Sequence, residues 1–163
     1  MSDVPSREEF RKCGYTEAAA NYPIFEPRFT RAQLIDFTEP RIDTGKFNNW
    51  ARRGFLDPAT KWTKSNVHKR YGGGHAIALM ILQVLSQTGL PFRLADQIVE
   101  IALRFTIGKL SGQAGGALLV ITAGDNIEVT GAKEFERPDA AWFTVIDLGT
   151  IVTRFMTKQE QLL

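Results

Sequence analysis

The chain has 163 residues, 44% of them apolar and 23% charged, with a net charge of +2. That is material for one domain, or one domain and a small appendage. No run of about 18 apolar residues predicts a membrane span, the polar opening MSDVPSREEFRKCGY is not a secretory signal, and Cys13, the only cysteine, excludes a disulfide framework, a zinc finger or a CxxC pair within one chain.

Charge is unevenly distributed. Residues 28–78 hold ten Lys/Arg and four acids, a balance of +6, while the segments before and after are each −2. A cationic block between mildly acidic flanks is the footprint of an anion-binding surface or, read more plainly, a solvated basic face.

Taken in chain order, residues 1–27 carry three prolines and predict at most a short helix over Arg7 to Ala20, followed by an extended lead-in. In FTRAQLIDFTEP, Thr30 and Gln33 form a capping box, so a helix is predicted from Arg31, with Leu34, Ile35 and Phe37 inward and Pro40 as its stop. Asp43 predicts the N-cap of a second helix in DTGKFNNWARRGF. Phe47 and Trp50 share its inner face, and Gly54 ends it. Two short helices joined by a tight turn predict a helix-turn-helix.

Residues 57–74 lack helical periodicity, and KWTKSNVHKRY predicts a basic β-hairpin with Ser65 and Asn66 near its tip. YGGGH lacks the GxxxxGK[ST] pattern of a phosphate loop and reads as a hinge. A helix is then expected from Gly74 to about Gln87, and another over Phe92 to Phe105. IGKLSGQAGG, residues 107–116, reads as a linker. Three strands follow in ALLVITA, IEVTGA and AAWFTVIDL, with a GDN turn between the first two and Trp142 as core. Asp147 predicts the cap of a last helix whose stripe is Ile151, Val152 and Phe155.

Three stretches together carry a resemblance: FNNWARRGFLDP, KRYGGGHAIALMILQVLSQTGLPF and RLADQIVEIA. In order and spacing they resemble the MerR-type winged helix-turn-helix regulators over roughly Phe29 to Leu103. The resemblance implies that the second helix enters the major groove and that the hairpin is a wing along the backbone or minor groove. On that comparison the DNA-contacting candidates are Arg31, Thr44, Lys46, Asn48, Asn49, Arg52 and Arg53 on the helices. On the wing they are Lys61, Lys64, His68, Lys69, Arg70 and Tyr71. Lys and Arg there neutralise phosphates, whereas asparagine can bond adenine bidentately. Asn48 and Asn49 stand where many members carry arginine and tyrosine, and Gly72 to Gly74 replace the usual polar residue after the wing tyrosine. The glycines at 108, 112, 115 and 116 break the long dimer helix that many members have.

The expected fold class is therefore α+β: an N-terminal extension at 1–27, a MerR-like winged helix-turn-helix at 28–106, and a small strand-rich α/β module at 107–163. The expected function is a bacterial or phage transcription regulator, activator or repressor, cytoplasmic and nucleoid-associated. Its expected partners are double-stranded DNA, a second copy paired through 117–163, and another regulatory protein or RNA polymerase. The alternatives are an excisionase-like architectural or recombination-directionality factor, or a protein-interaction adaptor. No enzyme motif, metal site or cofactor loop is visible: His68 and His75 have no third ligand, and the acids between Asp125 and Asp139 read as solvated turns.

Overall fold

The structure is a computed structural model that describes residues 23–60, 70–110 and 117–162. The expected helix over Arg7 to Ala20 and hairpin residues 61–69 lie outside the described residues, with Cys13, Trp62, Lys61, Lys64, His68 and Lys69 among them. The rest forms an α+β architecture in which helices surround one central apolar helix and a three-stranded antiparallel sheet follows.

The first helix, α1 (Arg31–Ile35), starts as its capping box dictates. The Thr30 hydroxyl accepts from the Gln33 N–H at 3.2 Å, and the Gln33 side-chain oxygen accepts from the Thr30 N–H at 2.9 Å. Residues 36–43 turn the chain. The Thr38 hydroxyl donates to the Ile35 carbonyl (2.7 Å) and accepts from the Ile42 N–H (3.0 Å), so this buried side chain closes the turn. The Asp43 carboxylate then caps α2 (Thr44–Arg52) by accepting from the Lys46 N–H at 2.7 Å. Gly54, at φ +82°, supplies the left-handed residue that ends this segment.

Asp57–Thr60, expected to be irregular, forms a single helical turn, α3. Pro58 suits a first turn, where its missing N–H is no loss, and Pro58 and Ala59 are buried. An isolated backbone bridge pairs Phe29 with Tyr71: each N–H donates to the other's carbonyl at 2.8 Å.

The central helix, α4 (Gly73–Thr88), buries residues on every side, from Ala76 through Leu79 to Leu85. A helix apolar all round belongs inside. It contacts α1, α3, α5 (Ala95–Leu110) and α6 (Leu148–Leu162). Its opening glycines are not the expected hinge, because Gly73 and Gly74 are helical and buried. A Cβ on Gly73 would collide with the Ile24 side chain, lie 2.7 Å from Phe155 Cζ and 2.8 Å from the Ile24 carbonyl oxygen. Glycine there lets two segments approach α4 closely.

Helix α5 runs on to Leu110, past the predicted end at Phe105, so 107–110 are not linker. Ile107 and Thr106 are fully buried. Tertiary packing outweighs the roughly 1 kcal/mol propensity deficit of Gly108. Residues 111–116 lie outside the described residues.

The strands are β1 (Ala117–Thr122), β2 (Asn126–Gly131) and β3 (Phe143–Asp147), in the order β2-β1-β3. Leu119 faces Val129 on one side and Ile146 on the other. Leu119, Ile121 and Ile146 are buried in the same core as the helices. Gly124 and Asp125 both have positive φ, which realises the expected GDN turn. Arg93 grips Asp125 with a two-pronged bond (2.7 and 2.9 Å), which ties this turn to the segment before α5. Trp142, expected in the core, stands just ahead of β3 and is 42% exposed.

Asp147 caps α6 through the Thr150 N–H at 2.9 Å. The stripe expected to pair two copies is buried within the chain: Ile151, Val152 and Phe155 are at most 8% exposed. The Phe155 ring stacks on Phe37 (5.2 Å between centroids) and meets Phe29 edge-on (6.5 Å). The last helix thus completes the core of the first ones. Among the described residues, no helix is long and apolar enough to cross a membrane.

Candidate nucleic-acid interface

Helix α2 has two unlike faces because apolar residues fall three apart. Phe47 and Trp50 are buried, while Thr44, Asn48, Arg52 and Arg53 are exposed. Asn49 is half-buried. With Thr44, Asn48 and Arg52 four apart, the outer face is a continuous polar stripe.

The structure brings Arg31 to this stripe from α1. Its guanidinium donates to Asn48 Oδ1 at 3.3 Å. Arg52 donates to Asn49 Oδ1, also at 3.3 Å. Each asparagine therefore has an arginine on its carbonyl oxygen. These bonds are long and exposed, so phosphates or base edges can replace them at little cost. Arg53 lies over the Phe55 ring at 4.8 Å. That contact holds its aliphatic stem against apolar surface and leaves the charge outward.

Lys46 does not join the stripe. It is half-buried, and its ammonium donates to Gln83 Oε1 (3.2 Å) and Ser86 Oγ (2.9 Å) on α4 and sits 5.0 Å from the Trp50 ring centre. Gln83 in turn donates to the Pro40 carbonyl at 2.8 Å. One buried amide thus holds both the turn before α2 and a lysine within it. Lys46, expected as a DNA contact, has its ammonium turned back onto α4 and ties the two helices together. Sequence reasoning missed the brace, although a lone glutamine in the apolar run MILQVL was a visible signal.

Just ahead of α4, Arg70 is exposed and Tyr71 half-buried. The Tyr71 ring meets Phe47 edge-on at 5.7 Å and His75 at 5.3 Å. Its backbone is held by the bridge to Phe29. The C-terminal end of the 61–71 stretch is therefore anchored to both the lead-in of α1 and the inner face of α2.

His75 joins the two ends of that segment. The Gly72 N–H donates to Nδ1 at 3.2 Å, so the ring proton sits on Nε2, which faces the Thr60 hydroxyl at 3.1 Å. Thr60 passes its own proton to the Leu56 carbonyl. Burial lowers the His75 pKa from 6.5 to about 4, so the ring is neutral at ordinary pH. Among the described residues, no cluster of His, Cys, Asp or Glu is arranged to hold a metal ion.

Comparison with protein-family models, with curated proteins and with solved structures finds no match for this chain.

Proposed function

We propose that the chain is a sequence-specific DNA-binding transcription regulator of winged helix-turn-helix type. In this reading α1 and α2 form the helix-turn-helix, α2 enters the major groove, and the basic stretch 61–71, a hairpin by its sequence pattern, lies on the phosphate backbone as a wing. The observation that carries it is the division of α2. Phe47, Trp50 and the Lys46 brace lock one face to the core, while Asn48 and Asn49 stand on the other with Arg31, Arg52 and Arg53 beside them. Arginines hold phosphates and asparagines read adenine, so this is the division of labour a reading helix needs. The resemblance to MerR-type regulators supports the same reading and implies a bacterial or phage setting and a nucleoid-associated protein.

Two half-sites about one helical turn apart are the usual route to cellular specificity. Because the apolar stripe of α6 is buried, two copies would pair through the sheet and its approach, where Val129, Trp142 and Val145 are exposed.

Selection of bound sequences from a random duplex library, followed by anisotropy titrations, tests the proposal. Asn48→Ala or Asn49→Ala is expected to cost about 1–3 kcal/mol on the selected site and far less on random DNA. Replacing Lys61, Lys64, Lys69 and Arg70 by alanine weakens all sequences alike and flattens the salt dependence by about 0.9 log unit per lost phosphate contact. Equal losses on both DNAs for the asparagine variants would leave a phosphate clamp, the behaviour of an architectural factor.

A further inference from the structure

Between the turn that joins α1 to α2 and the outer side of α6 lies a half-open cavity of about 590 Å³, within the size range of small-molecule sites. Its apolar lining is Phe37, Met80, Val84 and Ile151, from three separate elements. Its rim carries Asp36, Glu39 and Arg41 on the turn side and the cations Arg154 and Lys158 on the α6 side. On the turn side Arg41 is engaged by Asp36 at 2.8 Å. On the α6 side Arg154 and Lys158 line the cavity four residues apart, and neither has a hydrogen bond or ion pair with a described residue. Like charges at this spacing repel and cost a helix a few tenths of a kcal/mol. Two such cations beside an apolar hollow match a ligand with an apolar body and an anionic end.

We propose that this cavity binds a small organic carboxylate, its apolar part on Met80, Val84 and Ile151 and its carboxylate between Arg154 and Lys158, and that occupancy alters DNA binding. The regulatory half rests on the DNA-binding function proposed above; the binding half does not. The link between them is positional. Asp36 to Glu39 and Arg41 line the cavity in the turn that leads into α2, and Gln83 holds this turn and Lys46 together. Phe37 has one side on the cavity and packs on Phe155 in the core. A ligand there touches the segment that sets the angle of the reading helix, and its binding is thereby coupled to that angle.

The test uses the full chain and 1-naphthoate as probe, with its neutral methyl ester as comparison. Titration calorimetry or intrinsic fluorescence is expected to show saturable one-to-one binding of naphthoate and at least tenfold weaker binding of the ester. The Arg154→Gln, Lys158→Gln double variant, shown to be folded by circular dichroism and thermal melting, is expected to lose at least tenfold in naphthoate affinity. Val84→Phe, which fills the cavity without changing charge, is expected to lose binding as well. Absence of saturable binding, equal binding of the ester, or unchanged affinity in the double variant would overturn the site. The second arm measures DNA affinity with and without saturating naphthoate. A shift that disappears in the double variant supports the effector role, and an unchanged DNA affinity overturns it. Naphthoate binding as expected by a chain with no DNA affinity would refute the DNA-binding function and leave the site standing. DNA binding without naphthoate binding would do the reverse.

Discussion

Acidification should loosen this protein through one residue. In the folded chain His75 is 5% exposed and its pKa is lowered by burial from 6.5 to about 4. Between those two values the unfolded chain holds a proton that the folded chain refuses, so stability rises with pH across that window. The contribution is fully present above about pH 6.5 and is lost as the pH falls through about 4. At about 1.4 kcal/mol per pH unit, the interval amounts to about 3 kcal/mol, a large part of the 5–15 kcal/mol typical of a domain. Titrating carboxylates add their own acid sensitivity, so the comparison must be with His75→Gln, which keeps a polar side chain but does not titrate. Urea unfolding at intervals from pH 4 to pH 7.5, followed by tryptophan fluorescence, should show the native protein losing about 3 kcal/mol more than the variant over the window. At pH 7.5 the variant should itself be weaker by about 1–2 kcal/mol, because the Gly72 and Thr60 contacts are no longer matched. Parallel stability curves for the two proteins, or an NMR titration of the His75 ring near 6.5, would refute the reasoning.

Other substitutions separate packing from recognition. Gly73→Ala should destabilise by about 1–3 kcal/mol in urea melts, since its new methyl group meets Ile24 and Phe155; a neutral result would remove the close approach from the account. Lys46→Met should lower stability by about 1–2 kcal/mol and leave the salt dependence of DNA binding unchanged, whereas Arg52→Ala should reduce that slope by about 0.9. Phe155→Ala should cost about 3–5 kcal/mol. A chain stopped after Phe105, which lacks Phe155 and the sheet, should show no cooperative thermal transition by calorimetry.

What could be read from the sequence was local chemistry. Thr30 with Gln33, Asp43 and Asp147 each announce a helix start through a bond spanning three residues, and all three caps are present. The inward pair Phe47 and Trp50 was legible for the same reason, since helical spacing alone places them on one side. The misses depend on distant partners. Gly73 looked like a hinge because Ile24 and Phe155, which require it to be small, lie far from it in the chain. The tie from Lys46 to α4 was not legible because Gln83 and Ser86 are 37 and 40 residues away. The stripe on α6 showed that something must cover Ile151 and Phe155 but not that the cover is Phe29 and Phe37 of the same chain. Gly108 argued for a linker until the burial of Ile107 outweighed it.

The trio of Phe29, Phe37 and Phe155 also sets a schedule. The chain is made from its N-terminus, so Phe37 leaves the ribosome roughly 120 residues before Phe155. At roughly 5–20 residues per second that interval lasts about 6–24 s. Throughout it, the faces of Phe29 and Phe37 that Phe155 covers lack that cover and are open to wrong partners. The core around these three rings therefore closes only when the last helix has been synthesised.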